Sequence, residues 1–357
     1  GIKYIEQNNP SLMPSHISQP PVVVCSMGDA SVTEGEVSEA FQFAVLKNLP
    51  ILYLVQDNHW GISVTAEEAR RMNAVNYAKG FTGLKTMEIE GHDFTVAYKA
   101  IEFAFNYIRK ERKPLLLQAG VPLLNHHTSG VRKEFYRSEN ELKEASLKDP
   151  FVILYQQLLA AGISKETLNE IKDNARKLIE DDFEKAINSE GPLIEDAEKF
   201  IFLPTPVTNE SGNRAGNNKE PVLMVDAALY AIREIMEKHP EAILYGQDVG
   251  RRLGGVFRET ATLAEKFGDE RVFNTAIQEA YIIGSTIGMC AVGLKPIVEI
   301  QFADYIYPGF NQLVTEVSKS CYLSNGKFPV QTFIRIPIGA YGGGGPYHSG
   351  SIESTLL

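Results

Sequence analysis

Apolar runs separated by amphipathic stretches give the first 60 residues a strand-helix-strand pattern. The runs at 22–24 and 51–55 are apolar and rich in β-branched residues, which predicts two buried strands. Between them, Thr33 and Glu36 have the spacing of a capping box, so we predict a helix that starts near Glu34. Its buried face would carry Val37, Phe41, Ala44 and Val45.

The same alternation continues to residue 120. Residues 65–72 predict a short polar helix, and 86–89 and 114–119 predict two more strands. Asp93 is placed to cap the helix between these strands, which runs to about Lys110. Strands that alternate with helices predict an α/β fold with a doubly wound, mainly parallel sheet.

The second half of the chain repeats this kind of pattern. A helix carries one apolar face made of Val225, Leu229, Ile232, Ile235 and Met236. Strands are predicted at 242–245, 271–273, 297–300 and 330–336. The segment 280–292 is a predicted helix in which Gly284 and Gly288 are small enough for a close neighbouring helix.

Polar segments without periodicity set the domain boundaries. Residues 1–20 predict a loop, and 204–220, rich in Pro, Asn and Gly, predict a linker. The chain is therefore divided into a first domain at 1–203, the linker at 204–220 and a second domain at 221–357. Both domains have the pattern of an α/β fold, and each is expected to be only part of a complete domain.

Composition excludes several classes of function. The formal net charge of −10 and the absence of a basic stripe argue against nucleic acid as a partner. No apolar run reaches membrane-spanning length, and the first residues do not form a signal peptide. Three scattered cysteines with no CxxC pair indicate a reducing compartment, so a cytoplasmic location is expected.

Polar residues follow the first two strands at the sheet edge where parallel α/β folds bind ligands. Gly28 permits close backbone approach, Asp29 offers a carboxylate and Asn58 offers an amide oxygen. Such oxygen ligands suit Mg²⁺, and a helix amino terminus beside Asp29 would bind phosphate. Taken singly, the same residues are also typical of an ordinary turn and cap.

As a pair, the two strand ends resemble the thiamine-diphosphate motif, Gly-Asp-Gly followed by Asn-Asn. Here the motif reads Gly28-Asp29-Ala30, and after residues 31–56 it reads Asp57-Asn58. Ala30 and Asp57 depart from the family pattern, but neither position is a metal ligand there. The resemblance implies that Asp29, Asn58 and the carbonyl of Trp60 hold Mg²⁺ on the diphosphate.

A polar loop after the fourth predicted strand resembles one particular family more specifically than the two strand ends do. The segment 126–150 resembles the regulatory loop of 2-oxo acid dehydrogenase decarboxylating subunits, through His126-His127, Thr128-Ser129, Tyr136-Arg137-Ser138 and Asp149-Pro150. We expect the loop at 125–138 to be mobile until cofactor or substrate orders it. Thr128 and Ser129 lie where eukaryotic members are phosphorylated, but no modification is predicted here.

The second half resembles the partner subunit of the same dehydrogenases. The matching stretches are YGQDVG, GGVFRET, RVFNTAIQEAYIIG, EIQFADYIYPGFNQ and YHSGS. The resemblance implies that Glu279 faces the aminopyrimidine ring of the cofactor and shares a proton with it. Phe302 and Tyr305 would contact that ring, and His348 would be an active-site histidine.

Together these resemblances imply a fused decarboxylating component of a 2-oxo acid dehydrogenase complex. Catalytic roles would fall to Glu279, His127 and His348. Cofactor contacts would come from Gly28, Asp29, Ala30, Ser31, Asn58, Trp60, Ile62, His127, Glu279, Phe302 and Tyr305.

The implied reaction oxidatively decarboxylates a 2-oxo acid and acylates the lipoyl group of a dihydrolipoyl acyltransferase. Within the family, FADYIYP resembles the branched-chain enzymes more than the pyruvate enzymes, which implies a branched-chain substrate, as in 3-methyl-2-oxobutanoate dehydrogenase. Pyruvate or acetoin dehydrogenases, a transketolase-like enzyme and a non-catalytic subunit are the alternatives. A homodimer or larger homo-oligomer is expected, and the chain is expected to be incomplete as an enzyme when alone.

Overall fold

Two parallel sheets of four strands each carry the fold. The computed structural model describes residues 1–203, 220–340 and 343–356. The first sheet has the order β1-β2-β4-β3 and the second the order β6-β5-β7-β8, and every strand pair is parallel. The strands are β1 Val23–Gly28, β2 Ile51–Asp57, β3 Lys85–Glu90, β4 Leu115–Gly120, β5 Ala242–Gly246, β6 Val272–Asn274, β7 Lys295–Glu299 and β8 Phe333–Arg335. The predicted α/β class with two doubly wound parallel sheets is confirmed.

Helices connect these strands and continue beyond β4. Those up to residue 193 are α1 Ile2–Asn8, α2 Gly35–Lys47, α3 Ala66–Ala69, α4 Ala74–Ala78, α5 Phe94–Glu111, α6 Glu139–Leu147, α7 Pro150–Ala160 and α8 Lys165–Ile187. Later come α9 Met224–Lys238, α10 Leu263–Phe267, α11 Glu279–Cys290, α12 Tyr307–Asn311, α13 Ser320–Leu323 and α14 Glu353–Leu356, with a π-helical segment Gln312–Val317 after α12. No helix within the described ranges combines the length and the apolar character that crossing a bilayer requires.

The chain forms two compact units. The N-terminal unit is Gln19–Leu193, and the C-terminal unit combines Gly1–Ser18 with Ile194–Leu357. The sequence-based boundary assigns residues 1–20 to the first domain and describes them as a loop. The loop prediction is wrong, because these residues include α1, whose Ile5 is fully buried among Ile243 and Tyr245. Residues 204–219 of the predicted linker lie outside the described part of the chain.

Helices cover both faces of the N-terminal sheet. Because side chains alternate along a strand, successive residues of β2 and β4 pack on opposite sides. One side packs against α5 and holds Leu52, Leu115, Leu117, Ala104 and Ile108. The other packs against α2 and α4 and holds Tyr53, Val55, Leu116, Phe41 and Val75. Each fully buried large side chain contributes about 1.5–3 kcal/mol, so these two layers hold the edge that carries the site.

The C-terminal sheet is covered in the same way. Tyr245, Val298, Ile282 and Ile283 form the core between the sheet and α11, whereas Leu244, Ile297, Ile232 and Met236 form the core beneath α9. The predicted close approach is confirmed at Gly284, since a Cβ there would lie 2.9 Å from Gln312 Oε1, but a Cβ at Gly288 would meet no described atom within 4 Å. Ile235, which the sequence places on the buried face of α9, is 46% exposed.

The first strand is exposed, contrary to its predicted burial. Within the described residues, β1 lies at the edge of its sheet and pairs only with β2. Val23 and Val24 are 40% and 46% exposed, although their β-branched run is typical of a buried strand. The prediction failed because an apolar run reports the tendency to form a strand, not the position of that strand in the sheet.

The helix after β1 begins where it was expected, but without the predicted cap. α2 starts at Gly35, and its N-cap residue Glu34 makes no side-chain capping hydrogen bond. The Thr33 hydroxyl donates instead to the Ala30 carbonyl at 2.8 Å. Ala30–Thr33 is a 3₁₀ turn, so no α-helix amino terminus lies directly beside Asp29. In contrast, Asp93 caps α5 as predicted, by accepting from the Val96 N–H.

Candidate active site

The ends of β1 and β2 bring the predicted metal ligands of the N-terminal unit together. Asp29 follows β1 and is 3% exposed. Asn58 follows β2, and its backbone N–H lies 3.4 Å from Asp29 Oδ1. Parallel pairing sets this contact, because Gly28 and Gln56 are in register at the end of the two strands. The predicted adjacency of Asp29 and Asn58 is therefore present.

An arginine holds this pair of strand ends together. Arg70, directly after α3, places Nη1 at 2.6 Å from Asp29 Oδ2 and Nη2 at 3.1 Å from Asp57 Oδ1. The first contact has the length of an ion pair but not the direction of a hydrogen bond. Burial, and then the neighbouring Asp57 charge, raise the pKa of the Asp29 carboxyl, while Arg70 opposes that rise. We call Asp29, Asp57, Asn58, Arg70 and Gln118 the aspartate cluster.

Gln118 of β4 links Asp57 to the rest of the sheet. Its Nε2 donates to Asp57 Oδ2 at 2.8 Å, and its Oε1 accepts from the Val75 N–H at 3.1 Å. Asp57 Oδ1 also accepts from the His59 N–H at 3.0 Å. The second carboxylate of the cluster is thus fully hydrogen-bonded, as a buried charge requires.

The oxygen donors of the cluster fit a hard divalent cation. Asn58 Oδ1 accepts from the Trp60 N–H at 2.9 Å, which leaves a second lone pair of this amide oxygen for another partner. A Cβ at Gly28 would meet only Ser31 Oγ, at 4.0 Å, so the backbone before Asp29 is open to a ligand. The described residues contain no group of three or more His, Cys, Asp and Glu side chains suited to a metal. A site here would therefore need amide and carbonyl oxygens beside the single carboxylate of Asp29.

The predicted regulatory loop is anchored on Trp60. The Tyr136 ring lies 5.6 Å from the Trp60 ring, and the Arg137 guanidinium lies 5.6 Å from its centroid. Arg137 is buried and donates to the Leu123 carbonyl at 2.6 Å. The loop that carries the two histidines is therefore fixed at its end to the turn that presents Asn58.

The other predicted residues of this unit are less enclosed. Ser31, Ile62 and His127 are exposed, whereas Ala30 is partly buried next to Asp29. Among the described residues, His127 has no hydrogen bond or ring contact, and its neighbour His126 accepts from the Lys133 N–H at 3.1 Å. The structure does not bring His127 into the aspartate cluster.

In the C-terminal unit, the predicted glutamate lies at the carboxyl edge of the second sheet. Glu279 is the first residue of α11 and is 8% exposed. Gln247, just beyond β5, donates from Nε2 to Glu279 Oε1 at 2.9 Å. Such a buried carboxylate with one oxygen oriented by an amide has a fixed position from which to hold or accept a proton.

Three predicted residues form an aromatic group at the same edge of this sheet. Phe302 follows β7, and its ring lies 5.3 Å from Tyr305 and 4.7 Å from His348. The Tyr305 hydroxyl and His348 Nε2 are 2.8 Å apart, and His348 Nδ1 lies 3.0 Å from the Gly344 carbonyl. Since a carbonyl only accepts, Nδ1 carries the proton of the neutral ring and Nε2 accepts from Tyr305. We call Gln247, Glu279, Phe302, Tyr305 and His348 the aromatic cluster.

A second buried carboxylate pair lies behind this edge. Glu299, at the end of β7, and Glu259 are 2% and 0% exposed, and Arg335 Nη1 lies 3.0 Å from Glu299 Oε2 and 3.6 Å from Glu259 Oε1. Burial, followed by the neighbouring Glu259 carboxyl, raises the pKa of Glu299 from 4.5 to about 9. Glu299 Oε1 and both carboxyl oxygens of Glu259 are buried without a hydrogen-bond partner among the described residues, so the structure leaves both acids incompletely paired.

This pair should make stability depend on pH. Because the pKa of Glu299 is higher in the folded than in the unfolded chain, its contribution is complete below pH 4.5 and is lost as the pH rises to about 9. Glu299→Gln keeps a neutral donor at every pH, so its stability relative to the unaltered chain should increase from pH 5 to pH 9. Urea midpoints across this range measure the effect. The exposed Glu234→Gln is the control, and equal pH slopes for Glu299→Gln and the unaltered chain would contradict the assignment.

Several residues of the two clusters carry no role in the sequence analysis. Gln118 is an isolated amide in an apolar strand, a pattern that signals a buried polar partner. Gln247 lies within the quoted YGQDVG stretch but has no assigned function there. Arg70 lies in a polar helix-turn segment with no distinguishing pattern, so no sequence signal could have identified it.

Two family models match successive parts of the chain. The dehydrogenase E1 component model matches residues 9–195, and the transketolase pyrimidine-binding domain model matches residues 220–357. The first range contains the aspartate cluster, and the second contains the aromatic cluster.

Curated relatives match about a third of the chain. A protein of Dictyostelium discoideum named 2-oxoisovalerate dehydrogenase subunit beta, mitochondrial, is 52% identical over 33% of this chain and 32% of its own length. A 2-oxoisovalerate dehydrogenase subunit beta of Pseudomonas aeruginosa is 45% identical over 37% of this chain and 38% of its own. The pyruvate dehydrogenase E1 component subunit beta of Acholeplasma laidlawii is 42% identical over 37% and 40%.

The chain thus spans between about a third and two-fifths of the length of these relatives. The E1 component model, in contrast, covers more than half of the chain. The chain belongs to the dehydrogenase E1 component family of thiamine-diphosphate-dependent 2-oxo acid dehydrogenases, and it continues into a transketolase-type pyrimidine-binding domain.

Proposed function

We propose that this chain catalyses the thiamine-diphosphate-dependent oxidative decarboxylation of a branched-chain 2-oxo acid. The observation that supports this most directly is the aromatic cluster. It holds a buried Glu279, oriented by Gln247, at the sheet edge that also carries Phe302, Tyr305 and His348. The presence of E1-type and pyrimidine-binding parts in one chain supports the fused organisation.

In this proposal the two clusters have different binding roles. Asp29, Asn58 and the Trp60 carbonyl would hold Mg²⁺ where a diphosphate binds, and Phe302 and Tyr305 would contact an aminopyrimidine ring. Bound thiamine diphosphate supplies the electron sink that decarboxylation of a 2-oxo acid needs. The domain fold itself supplies none of this chemistry.

The side chains of this protein move and hold protons. Glu279 holds a proton toward the pyrimidine ring, and the hydrogen bond from Gln247 keeps its second oxygen in place. His348 accepts from Tyr305 at Nε2, so it exchanges a proton at that atom without leaving its position. The Phe302 ring packs against the Tyr305 and His348 rings, and the His348 side chain remains exposed to solvent.

The proposed partner is the lipoyl domain of a dihydrolipoyl acyltransferase, which receives the acyl group. The proposed assembly is a homodimer or larger homo-oligomer, and the proposed location is the cytoplasm. The names of the relatives from Dictyostelium discoideum and Pseudomonas aeruginosa favour 3-methyl-2-oxobutanoate as substrate, whereas the relative from Acholeplasma laidlawii is named for pyruvate.

A substrate series tests this proposal. Because the chain alone is expected to be incomplete as an enzyme, it is tested in its assembled complex. The complex is saturated with thiamine diphosphate and Mg²⁺, and kcat/KM is measured for 3-methyl-2-oxobutanoate and pyruvate with an artificial electron acceptor. We expect at least a 10-fold preference for the branched-chain acid, and acylation of an added lipoyl domain. A preference for pyruvate would make the chain a pyruvate dehydrogenase component instead. Cofactor binding without turnover of either acid would contradict the enzymatic proposal.

A further inference from the structure

Arg70 places one guanidinium between two carboxylates that are almost completely buried. The side chains of Asp29 and Asp57 are 3% and 2% exposed, and that of Arg70 is 10% exposed. At Asp57 the motif of the resembling family has a neutral Asn, so this chain carries a second negative charge at the cluster. The Arg70 guanidinium therefore offsets buried negative charge that is costly to leave unpaired.

The other neighbours of the two carboxylates cannot supply that charge. Asp57 receives neutral donors from Gln118 and from the His59 backbone, and Asp29 receives one from the Asn58 backbone. The His59 ring lies 3.7 Å from Asp57, but its side chain is 69% exposed, so water screens it strongly. Arg70 is thus the buried cation of the cluster among the described residues.

A divalent cation and this guanidinium would compete for Asp29. Nη1 lies 2.6 Å from Asp29 Oδ2, and Mg²⁺ binds carboxylate oxygens at about 2.0–2.1 Å. An ion on either oxygen of Asp29 would stand within a few ångströms of the guanidinium, where like charges repel strongly because water is excluded.

Other carboxylates near Arg70 could pair with its side chain after displacement from Asp29. Arg70 has extended backbone at the end of α3 and lines a cavity of ≈ 540 Å³. The same cavity is lined by three carboxylates besides Asp57, namely Glu67, Glu88 and Glu90. The guanidinium can therefore leave Asp29 and still keep a carboxylate partner.

We propose that Arg70 is a built-in substitute for the divalent cation: it neutralises Asp29 when the cofactor is absent and is displaced from it when the cation binds. This inference rests on the proposed function, which assigns a cation to Asp29. The ion pair between Arg70 and Asp29 makes cation binding less favourable, because the cation must first replace it. Arg70 is thereby a residue that sets the cation affinity of the site.

The experiment measures Mn²⁺ binding by electron paramagnetic resonance, without and with thiamine diphosphate. It compares the unaltered chain with Arg70→Leu and with Arg71→Leu, the exposed neighbour that lines the same cavity. Without cofactor, Arg70→Leu is expected to bind Mn²⁺ at least 10-fold more tightly than the unaltered chain, and Arg71→Leu is expected to match the unaltered chain. Thermal unfolding should show the same order, with Arg70→Leu less stable in chelator and stabilised most by Mn²⁺.

Each outcome decides the inference. If Arg70→Leu binds Mn²⁺ as tightly as the unaltered chain or more weakly, the inference about Arg70 is overturned. In that case the proposed cation site still stands if the unaltered chain binds Mn²⁺ with thiamine diphosphate. Absence of Mn²⁺ binding in all three proteins overturns the cation site and the inference together. If Arg70→Leu does not fold, Arg70→Lys replaces it, because a single ammonium cannot contact both carboxylates as the two guanidinium nitrogens do. The lysine variant is then expected to bind Mn²⁺ more tightly than the unaltered chain, and equal or weaker binding overturns the inference.

Discussion

Glu279→Gln is expected to lower the rate of carbon dioxide release from the 2-oxo acid by about 10²–10⁴-fold, the range that a positioned proton-transfer group contributes. The amide has nearly the same shape as the carboxylate, and Gln247 can still donate to its oxygen. The amide cannot, however, take or release the proton that the proposed mechanism places on the other carboxyl oxygen of Glu279. Binding of thiamine diphosphate, measured by calorimetry, should change much less than the rate.

A matched substitution separates this effect from a change in the helix. Glu265 lies in the first turn of α10, as Glu279 does in α11, but it is exposed. Glu265→Gln should therefore leave both the rate and the cofactor affinity unchanged. If Glu279→Gln retained more than a tenth of the decarboxylation rate with an artificial electron acceptor, Glu279 would not be the proton-transfer group.

Asp29→Asn is expected to weaken Mg²⁺-dependent binding of thiamine diphosphate by on the order of 100-fold or more. The substitution removes the one carboxylate that the proposed cation site contains and keeps the size of the side chain. The fold should persist, because Arg70 retains its 3.1 Å contact with Asp57. Calorimetric titration at saturating Mg²⁺ measures the affinity, and circular dichroism checks the fold.

The control for this variant is Asp173→Asn, on the exposed surface of α8. It should bind the cofactor as the unaltered chain does. An affinity of Asp29→Asn within threefold of the unaltered chain, at the same Mg²⁺ concentration, would remove Asp29 from the proposed ligands.

The parts of the fold that sequence reasoning predicted follow from local patterns. The apolar runs at 51–55 and 114–119 became β2 and β4, because a parallel sheet buries both faces of its central strands. The meeting of Asp29 with Asn58 followed from the same rule, since the carboxyl ends of neighbouring parallel strands share one edge.

The remainder depended on contacts between distant residues. Arg70 reaches Asp29 only through the loop that folds back after β2, and Gln118 reaches Asp57 only through the pairing of β2 with β4. Neither contact can be predicted from the local spacing of residues in the sequence. The exposure of Val23 likewise depends on which strand lies at the sheet edge, which an apolar run does not specify.

The arrangement of Asp29, Arg70 and Asp57 also limits how this chain can change during evolution. Loss of Arg70 alone would leave two buried carboxylates facing each other, and loss of Asp57 alone would leave the guanidinium with one partner. The effects of substitutions at these two positions should therefore be non-additive, with the double replacement less harmful than the single ones suggest. Lineages of this protein would then gain or lose the Asp57 and Arg70 charges as a linked pair, whereas Asp29 would be retained if the proposed cation site is correct.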